Sequence, residues 1–526
     1  MFTISADQRH TGPNPGLVLV LCAIYLVAGI VGHDPWKSDD ALHLGIVHGL
    51  ANGWPLPSLG GEYWPEAEPL YYWLAALLAR GLQPLLAFHD AARLASAVFG
   101  ALFLIGIARA TKWLYGGESA WGAPLLAIGT LGLLVPIHEI QPFAAVLATT
   151  AGAYWGATLL DERPLNGGLL LGGSMGAGFL AGGLNATIPI MPLLLVPLAY
   201  RRWGAFLIAI ALAAAIAAIW PMVLAGQGSN YVDAWWAAEL TSIAPRNGFS
   251  SIHVQWLGWF IWPVQFIALW MIWFGRRHLT EPQILLPLIG ALAALGWFLC
   301  HEPKPMTALP MVPPLVLLAT AGTERLKRGA ANAWDWFGMM TFTLVAALVW
   351  LGSIAMLTGW PPKIAHDFIK LEPGFVAPFS LPAMVTASAV TVLWLTLLLR
   401  LPRSPWRVAC RWAAGVTVIW TLLASLWMPW IDYGKTYRPV IASLRAALPA
   451  DSGCIARRGV GLSQRAMLDY FADIRTRWKA AECNWLITQG NPNDADPTGW
   501  HRVWEGHRPG DHNEVLRLYR RKKPPR

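Results

Sequence analysis

From Gly16 almost to Trp430 the chain is a succession of apolar runs separated by short polar breaks. A helix needs about 20 apolar residues to cross ~30 Å of hydrocarbon. Runs near that length recur at 16–32, 91–110, 119–136, 142–160, 168–184, 185–200, 204–225, 256–274, 283–300, 305–322, 336–358, 380–400 and 411–430. Lipid offers backbone groups no partner, so such runs have to be helices. The pattern predicts an all-α polytopic membrane protein with about thirteen transmembrane helices, least regular where Asn185 divides two half-length runs. Only 13% of residues are charged, where a soluble domain carries roughly 25%. The 31 tryptophans suit the headgroup boundary, where an amphipathic ring meets both phases.

A net charge of +9 does not point to nucleic acid, because the cations stand in short clusters beside apolar runs, the pattern that orients membrane helices. The apolar stretch Leu70–Leu86 holds Arg80 and Gln83 and reads as a helix lying in the interface rather than a span. That reading places fifteen cations, from Arg9 to Arg411, on one side against seven (Lys37, Arg80, Arg93, Arg246, Lys304, Lys363, Lys370) on the other, before the residues after Trp430 are counted. The cation-rich side is then cytoplasmic, and the loops 33–90, 226–255, 301–304 and 359–379 face outward with everything after Trp430. The first run lacks a small-residue cleavage site and is expected to stay as an anchor. Residues 1–430 form the membrane domain in this reading. Residues 431–526, where TYRPVIASLRAALP, CNWLITQG and EVLRLYRR alternate helical and strand patterns, form a small soluble α/β domain. Cys454 and Cys483 are the one pair placed to bridge, and only outside the cytosol.

The acids collect in the first outer loop. SDDALHLGIVHGLA (38–51) predicts a membrane-lying helix, with Ser38 as N-cap, Asp39 and Asp40 in the first turn, and Leu42, Ile46 and Leu50 on one face. Asp39 and His43 share a face four residues apart. After a turn-rich passage, EYWPEAEPLYYW (62–73) sets Glu62, Glu66 and Glu68 among rings that include Tyr63 and Tyr71. Glu62 and Glu68 read first as solvated side chains. Several acids at a bilayer edge also suit general-base work or holding a cation, since burial raises a carboxylate's basicity. HEPKP (301–305) holds Lys304 in a short hinge, where it either snorkels or clamps a phosphate. His138 and Glu139, in PIHEIQP, read as satisfied interfacial groups. Neither CxxC nor HExxH occurs, so no built-in metal site is expected, and a divalent cation held by loop acids is left open.

The order acid pair, helix, Gly-Trp-x-x-Pro, aromatic-x-Glu, Pro-Leu-Tyr-Tyr-Trp resembles the bacterial aminoarabinose transferases of lipid A. It is similar also to their protein O-mannosyltransferase-like relatives, membrane glycosyltransferases of the GT-C type. Lys304 followed by Leu309-Pro310 and Pro313-Pro314, and the tail's YRPVIASLRAALP and QRAMLDYF, resemble later segments of that family. The resemblance implies inverting transfer of a sugar from a polyprenyl-phosphate donor to a lipid or cell-envelope glycan acceptor, on the periplasmic face of the bacterial inner membrane. It implies Asp39 and Glu66 as catalytic residues. Three positions depart from the family pattern: Leu42 replaces an arginine, Ala67 a lysine and Glu68 a proline. Lys304 is then the leading phosphate ligand, with Asp40, His43, Tyr63, Tyr71, Arg246 and His253 completing the donor-binding set. A secondary transporter or flippase-like lipid-binding protein is the rival reading. It would want matching halves, which the sequence does not show.

Overall fold

The computed structural model describes residues 12–245, 248–478, 483–511 and 513–522. Among these, eight helices are long and apolar enough to cross a membrane, or nine if Ser251–Trp259 and Val264–Phe274, bent by 90°, form one span. Thirteen apolar runs become eight or nine spans because several are short or broken. The first is a 13-residue helix, Pro15–Val27. The run at 142–160 is a 17-residue helix, Phe143–Leu159. The runs at 168–200 join in Pro164–Ala199, kinked at Gly182 and Gly183.

The run at 119–136 stops being regular helix after Ile128, and 256–274 breaks at 260–263. These two breaks face each other. Leu131 N–H donates to Trp262 O at 3.1 Å and Gly132 N–H to Phe260 O at 2.8 Å, so each interruption satisfies backbone groups of the other. Position 132 has to be glycine, since a Cβ there would lie 2.2 Å from Phe260 O.

Pro69–Leu82, the segment read as interfacial, is a helix of 14 residues. At 1.5 Å per residue it reaches about 21 Å, short of a crossing. The preceding helix, Asp39–Ala51, differs from expectation in two ways. Ser38 makes no cap; its hydroxyl donates to Asp39 Oδ1 at 3.0 Å. Nor does one polar face lie in water: Leu44, Ile46 and Val47 are fully buried, and so is Ala41. The reason is a second cover. The tail helix Leu462–Ala472 packs onto it, and at Gly45 a Cβ would stand 2.6 Å from the Ala466 Cβ.

The tail is a mixed five-stranded sheet. Its order is β4 (Thr476–Arg477), β3 (Ile455–Arg458), β5 (Trp485–Gly490), β7 (Val515–Arg521), β6 (Trp500–Gly506), with β1 (Ser58–Leu59) and β2 (Glu62–Tyr63) pairing separately in the first loop. β3 runs parallel to β4 and β5, and β7 antiparallel to its neighbours. Cys454 and Cys483 are bonded.

Ion pairs fasten this sheet domain to the first loop. Glu62 accepts from Arg457 Nη1 and Nη2 at 2.9 and 2.7 Å and from Arg465 Nη2 at 2.7 Å. Asp34 accepts from Arg438 Nε at 2.9 Å and from Thr436 Oγ1 at 2.6 Å. Glu62 is therefore a strut, although its side chain is still 45% exposed. Although its partial burial favours the neutral acid, the hydrogen bonds and charges of Arg457 and Arg465 hold it below the usual glutamate range. A depressed carboxylate contributes stability above its unfolded value and loses it as pH falls through the folded one. Limited proteolysis is therefore expected to release the tail faster when pH drops below the normal glutamate range, and Glu62→Gln should show that sensitivity at neutral pH. Equal cleavage rates across pH in both proteins would contradict the strut.

Candidate active site

The site is built around a buried cation. Arg93, near the start of the spanning helix Phe88–Tyr115, is 0% exposed. Its Nη2 donates to Asp40 Oδ2 at 2.9 Å and its Nε to Asp40 Oδ1 at 3.3 Å. Its Nη1 donates to Asp90 Oδ1 at 3.1 Å and His33 O at 3.0 Å. Asp40 accepts two backbone N–H groups as well, from Ile140 at 2.8 Å and Trp36 at 3.2 Å. Burial alone would raise the Asp40 carboxyl, but Arg93 holds it below the usual range. Asp40 is thus a fixed anion of the framework rather than a donor-binding group.

Consecutive helical residues point about 100° apart, so with Asp40 turned inward its neighbour Asp39 turns out. Asp39 is partly exposed, and among the described residues no basic side chain pairs with it. One turn along, His43 Nδ1 contacts the Tyr72 hydroxyl at 2.6 Å. Burial pushes His43 down to about 4, against the pull of Asp39 and Asp40, so its ring is neutral at ordinary pH. Tyr72 carries this contact to the second acidic group. Its hydroxyl is raised far above the ordinary range by burial first, and then by charges that include Glu68, Asp39 and Glu66. The carboxylates of the two motifs therefore converge on one tyrosine. Glu139 belongs to the same field: burial, then Asp40 and Asp39, push it up to about 8.

The second acidic motif lines a cavity of about 480 Å³, to whose wall Asp39, His43, Tyr72 and Glu139 do not contribute. Its wall includes Glu66 and Glu68 from the first loop, Glu239 from the helix Ser229–Ser242, and Lys304 from the 301–304 hinge. The broken helix contributes Gly182 and Asn185 to its lining. Lys304 Nζ contacts Glu302 at 2.9 Å, with both side chains more than half exposed. Glu68 is buried, contrary to its reading as solvated.

Of the other expected ligands, the structure brings few to this cavity. Tyr63 lies behind it, its ring edge-on to Tyr231 at 5.0 Å. Tyr71 is fully buried and its hydroxyl meets Ser96 Oγ at 2.7 Å. His253 caps its own helix at Ser250, and its Nε2 donates to His301 O at 2.9 Å. Arg246 lies outside the described residues. His138 is buried and bonded to the Leu134 and Tyr25 carbonyls. Among the described residues no group of three or more His, Cys, Asp or Glu side chains could hold a metal ion.

Two residues of the site are not among the expected ones. Arg93 reads as one of the seven outward cations, although a charge placed inside an apolar helix demands a buried partner. Glu239, in the unremarkable WWAAEL, gave no local signal at all.

No family model and no curated protein matches the sequence. Among solved structures, ArnT from Cupriavidus metallidurans bound to undecaprenyl phosphate aligns with a TM-score of 0.67 and 16% identity, over 95% of this chain and 97% of that one. Its apo form gives the same values. The arabinosyltransferase EmbB from Mycobacterium smegmatis aligns with a TM-score of 0.45 and 17% identity, over 82% of this chain and 42% of that one. The fold is the one that the ArnT structure has: a polytopic helical domain joined to a small sheet domain. The ArnT match spans both domains end to end.

Removing one partner of a fully buried pair costs about 3–5 kcal/mol, since it strands the other charge. Arg93→Met should lower the unfolding temperature of the detergent-solubilised protein markedly, and Asp40→Asn added to it should recover part of the loss. Unfolding of Arg93→Met at the wild-type temperature would show that the pair does not hold the site together.

Proposed function

We propose that the chain is an inverting glycosyltransferase. It moves a sugar from a polyprenyl-phosphate donor to a hydroxyl of a lipid or cell-envelope glycan on the periplasmic face of a bacterial inner membrane. The observation that carries the reading is Asp39, a carboxylate without a cation partner among the described residues, held at a fixed helix start by the buried Asp40–Arg93 pair in a fold shared with ArnT. The lipid phosphate named for ArnT supports a lipid-linked donor by analogy of fold. The bonded cysteines of the tail fit a compartment outside the cytosol.

In this reaction the acceptor oxygen attacks the anomeric carbon, the bond from that carbon to the phosphate oxygen breaks, and the polyprenyl phosphate leaves with the electron pair. Asp39 takes the acceptor's proton, or only orients the nucleophile where the acceptor is itself an ionised phosphate. Glu66, exposed at the cavity wall, faces the positive charge that develops on the sugar. Lys304, which lines the same cavity, receives the negative charge of the leaving phosphate.

A transporter would use a broken helix to open a solute path. Here the break at Gly183 is filled by the Glu239 carboxylate. The test is transfer by the purified full chain in vesicles made with the bacterium's own polyprenyl-linked sugars and envelope glycans, followed by mass spectrometry. Asp39→Asn should lower turnover by about 10²–10⁴-fold while binding of undecaprenyl phosphate, followed by native mass spectrometry, persists. Unchanged turnover in Asp39→Asn sinks the assignment, and solute uptake without a modified product favours transport.

A further inference from the structure

Helix Pro164–Thr187 is interrupted where Gly182 adopts φ −160° and Gly183 φ +58° with ψ −146°. Only glycine takes the second conformation without strain. The interruption leaves the Leu184 N–H without a helical acceptor, and Glu239 supplies one: its Oε2 accepts from Leu184 N at 2.8 Å. The fit is close, since a Cβ at Gly183 would lie 2.3 Å from Glu239 Oε1. Glu239 is 5% exposed and Glu68, which meets it carboxyl to carboxyl in hydrogen-bonding contact, is 9% exposed. Glu68 immediately precedes the helix Pro69–Leu82, whose Tyr72 contacts His43, one turn from Asp39. Two residues before Glu68 stands Glu66.

We propose that Glu239 is a positioning residue: by accepting a hydrogen bond from Glu68 it ties the acid-bearing first loop to the helix break and so sets where Glu66 and Asp39 stand. The proposal rests on the glycosyl-transfer reading of the same cavity. Two carboxyls in contact and out of water cannot both ionise, so a proton has to lie between them. Burial, and then the charge of Glu239, raise Glu68 well above the usual range, which makes it the donor. Among the described residues, the groups recorded around the pair do not offset a second charge. Tyr63, Glu66 and Tyr72 face it from the first loop. The 301–307 segment brings His301, Glu302 and Lys304 across the cavity, with Lys304 contacting Glu302. The broken helix brings Asn185 and no titratable side chain to the cavity. A carboxyl whose folded value is raised contributes its tie at low pH and loses it as pH rises through that value.

The test is hydrogen exchange of the 62–72 segment in the purified full chain, corrected for intrinsic rates, as pH is raised from the ordinary glutamate range into the alkaline range. Wild-type exchange should quicken by about tenfold or more toward alkaline pH as the tie opens. Glu239→Gln keeps an acceptor for Leu184 and gains an amide donor for the Glu68 carboxylate, so its protection should be level across the range. Glu239→Ala should exchange fast throughout. Transfer rates, with kcat separated from KM, should follow: an alkaline fall in kcat for the wild type, none for Glu239→Gln, and a low kcat at every pH for Glu239→Ala. Wild-type protection in Glu239→Ala, or a wild-type alkaline response in Glu239→Gln, overturns the tie. Full kcat in Glu239→Ala despite fast exchange overturns the positioning role. Exchange that behaves as described in a protein with no measurable transfer leaves the tie standing and removes the glycosyl-transfer reading instead.

Discussion

The contact on which the rest of the molecule depends is the buried pair between Arg93 and Asp40. Burying two charges is expensive, and a pair of this kind is weak evidence of stability by itself. What it supplies is a unique arrangement. Arg93 and Asp40 together bind groups of His33, Trp36, Asp90 and Ile140, drawing the start of the first loop, the helix Phe88–Tyr115 and the 134–142 turn to one point. Removing the cation would leave an anion with no water to accept it. The acid that carries no cation, Asp39, is held in place by the acid beside it.

From that point outward the first loop is fixed between two covers. Below it the membrane helices supply Arg93, and above it the tail supplies Arg438, Arg457 and Arg465 for Asp34 and Glu62. Glycine at 45 lets the tail helix approach closely enough to bury the Asp39–Ala51 helix on both sides. Ser463 Oγ donates to Ser38 O at 2.8 Å, so the tail reaches the very turn that presents Asp39. The tail is therefore part of the site's frame, and a loop that would otherwise lie loose on a membrane becomes a rigid support for chemistry.

How much of this could be read beforehand follows from the range of each interaction. The apolar runs, the helix of 38–51 and the non-spanning segment at 70–86 are local patterns, and the helices stand there. The breaks inside the runs were less legible, because a span interrupted at 260–263 is stable only through its partner at 131–132, far away in sequence. The same holds for the acids. Glu62 and Glu68 have no local reason to be anything but solvated; their roles come from Arg457 and Glu239, both far away in sequence. Asp39 and Asp40 were distinguishable as a motif, but which of the two turns inward depends on Arg93, and nothing local to the acid pair shows that.

The two cations nearest the acids also differ in what they have left to give. Arg93 is wholly enclosed and its donors are committed, so no ligand can draw it away without unfolding its surroundings. Lys304 faces the cavity with Glu302 as its contact, both side chains largely in solvent. An exposed pair of that kind is worth about 0–1 kcal/mol. A phosphate carrying nearly two negative charges competes with a single carboxylate for such an ammonium at little cost, whereas Asp40 cannot be displaced from Arg93. In the proposed reaction the buried pair thus holds the geometry and the solvated pair exchanges, which explains why a cavity with so many acids still has a cation for a departing phosphate.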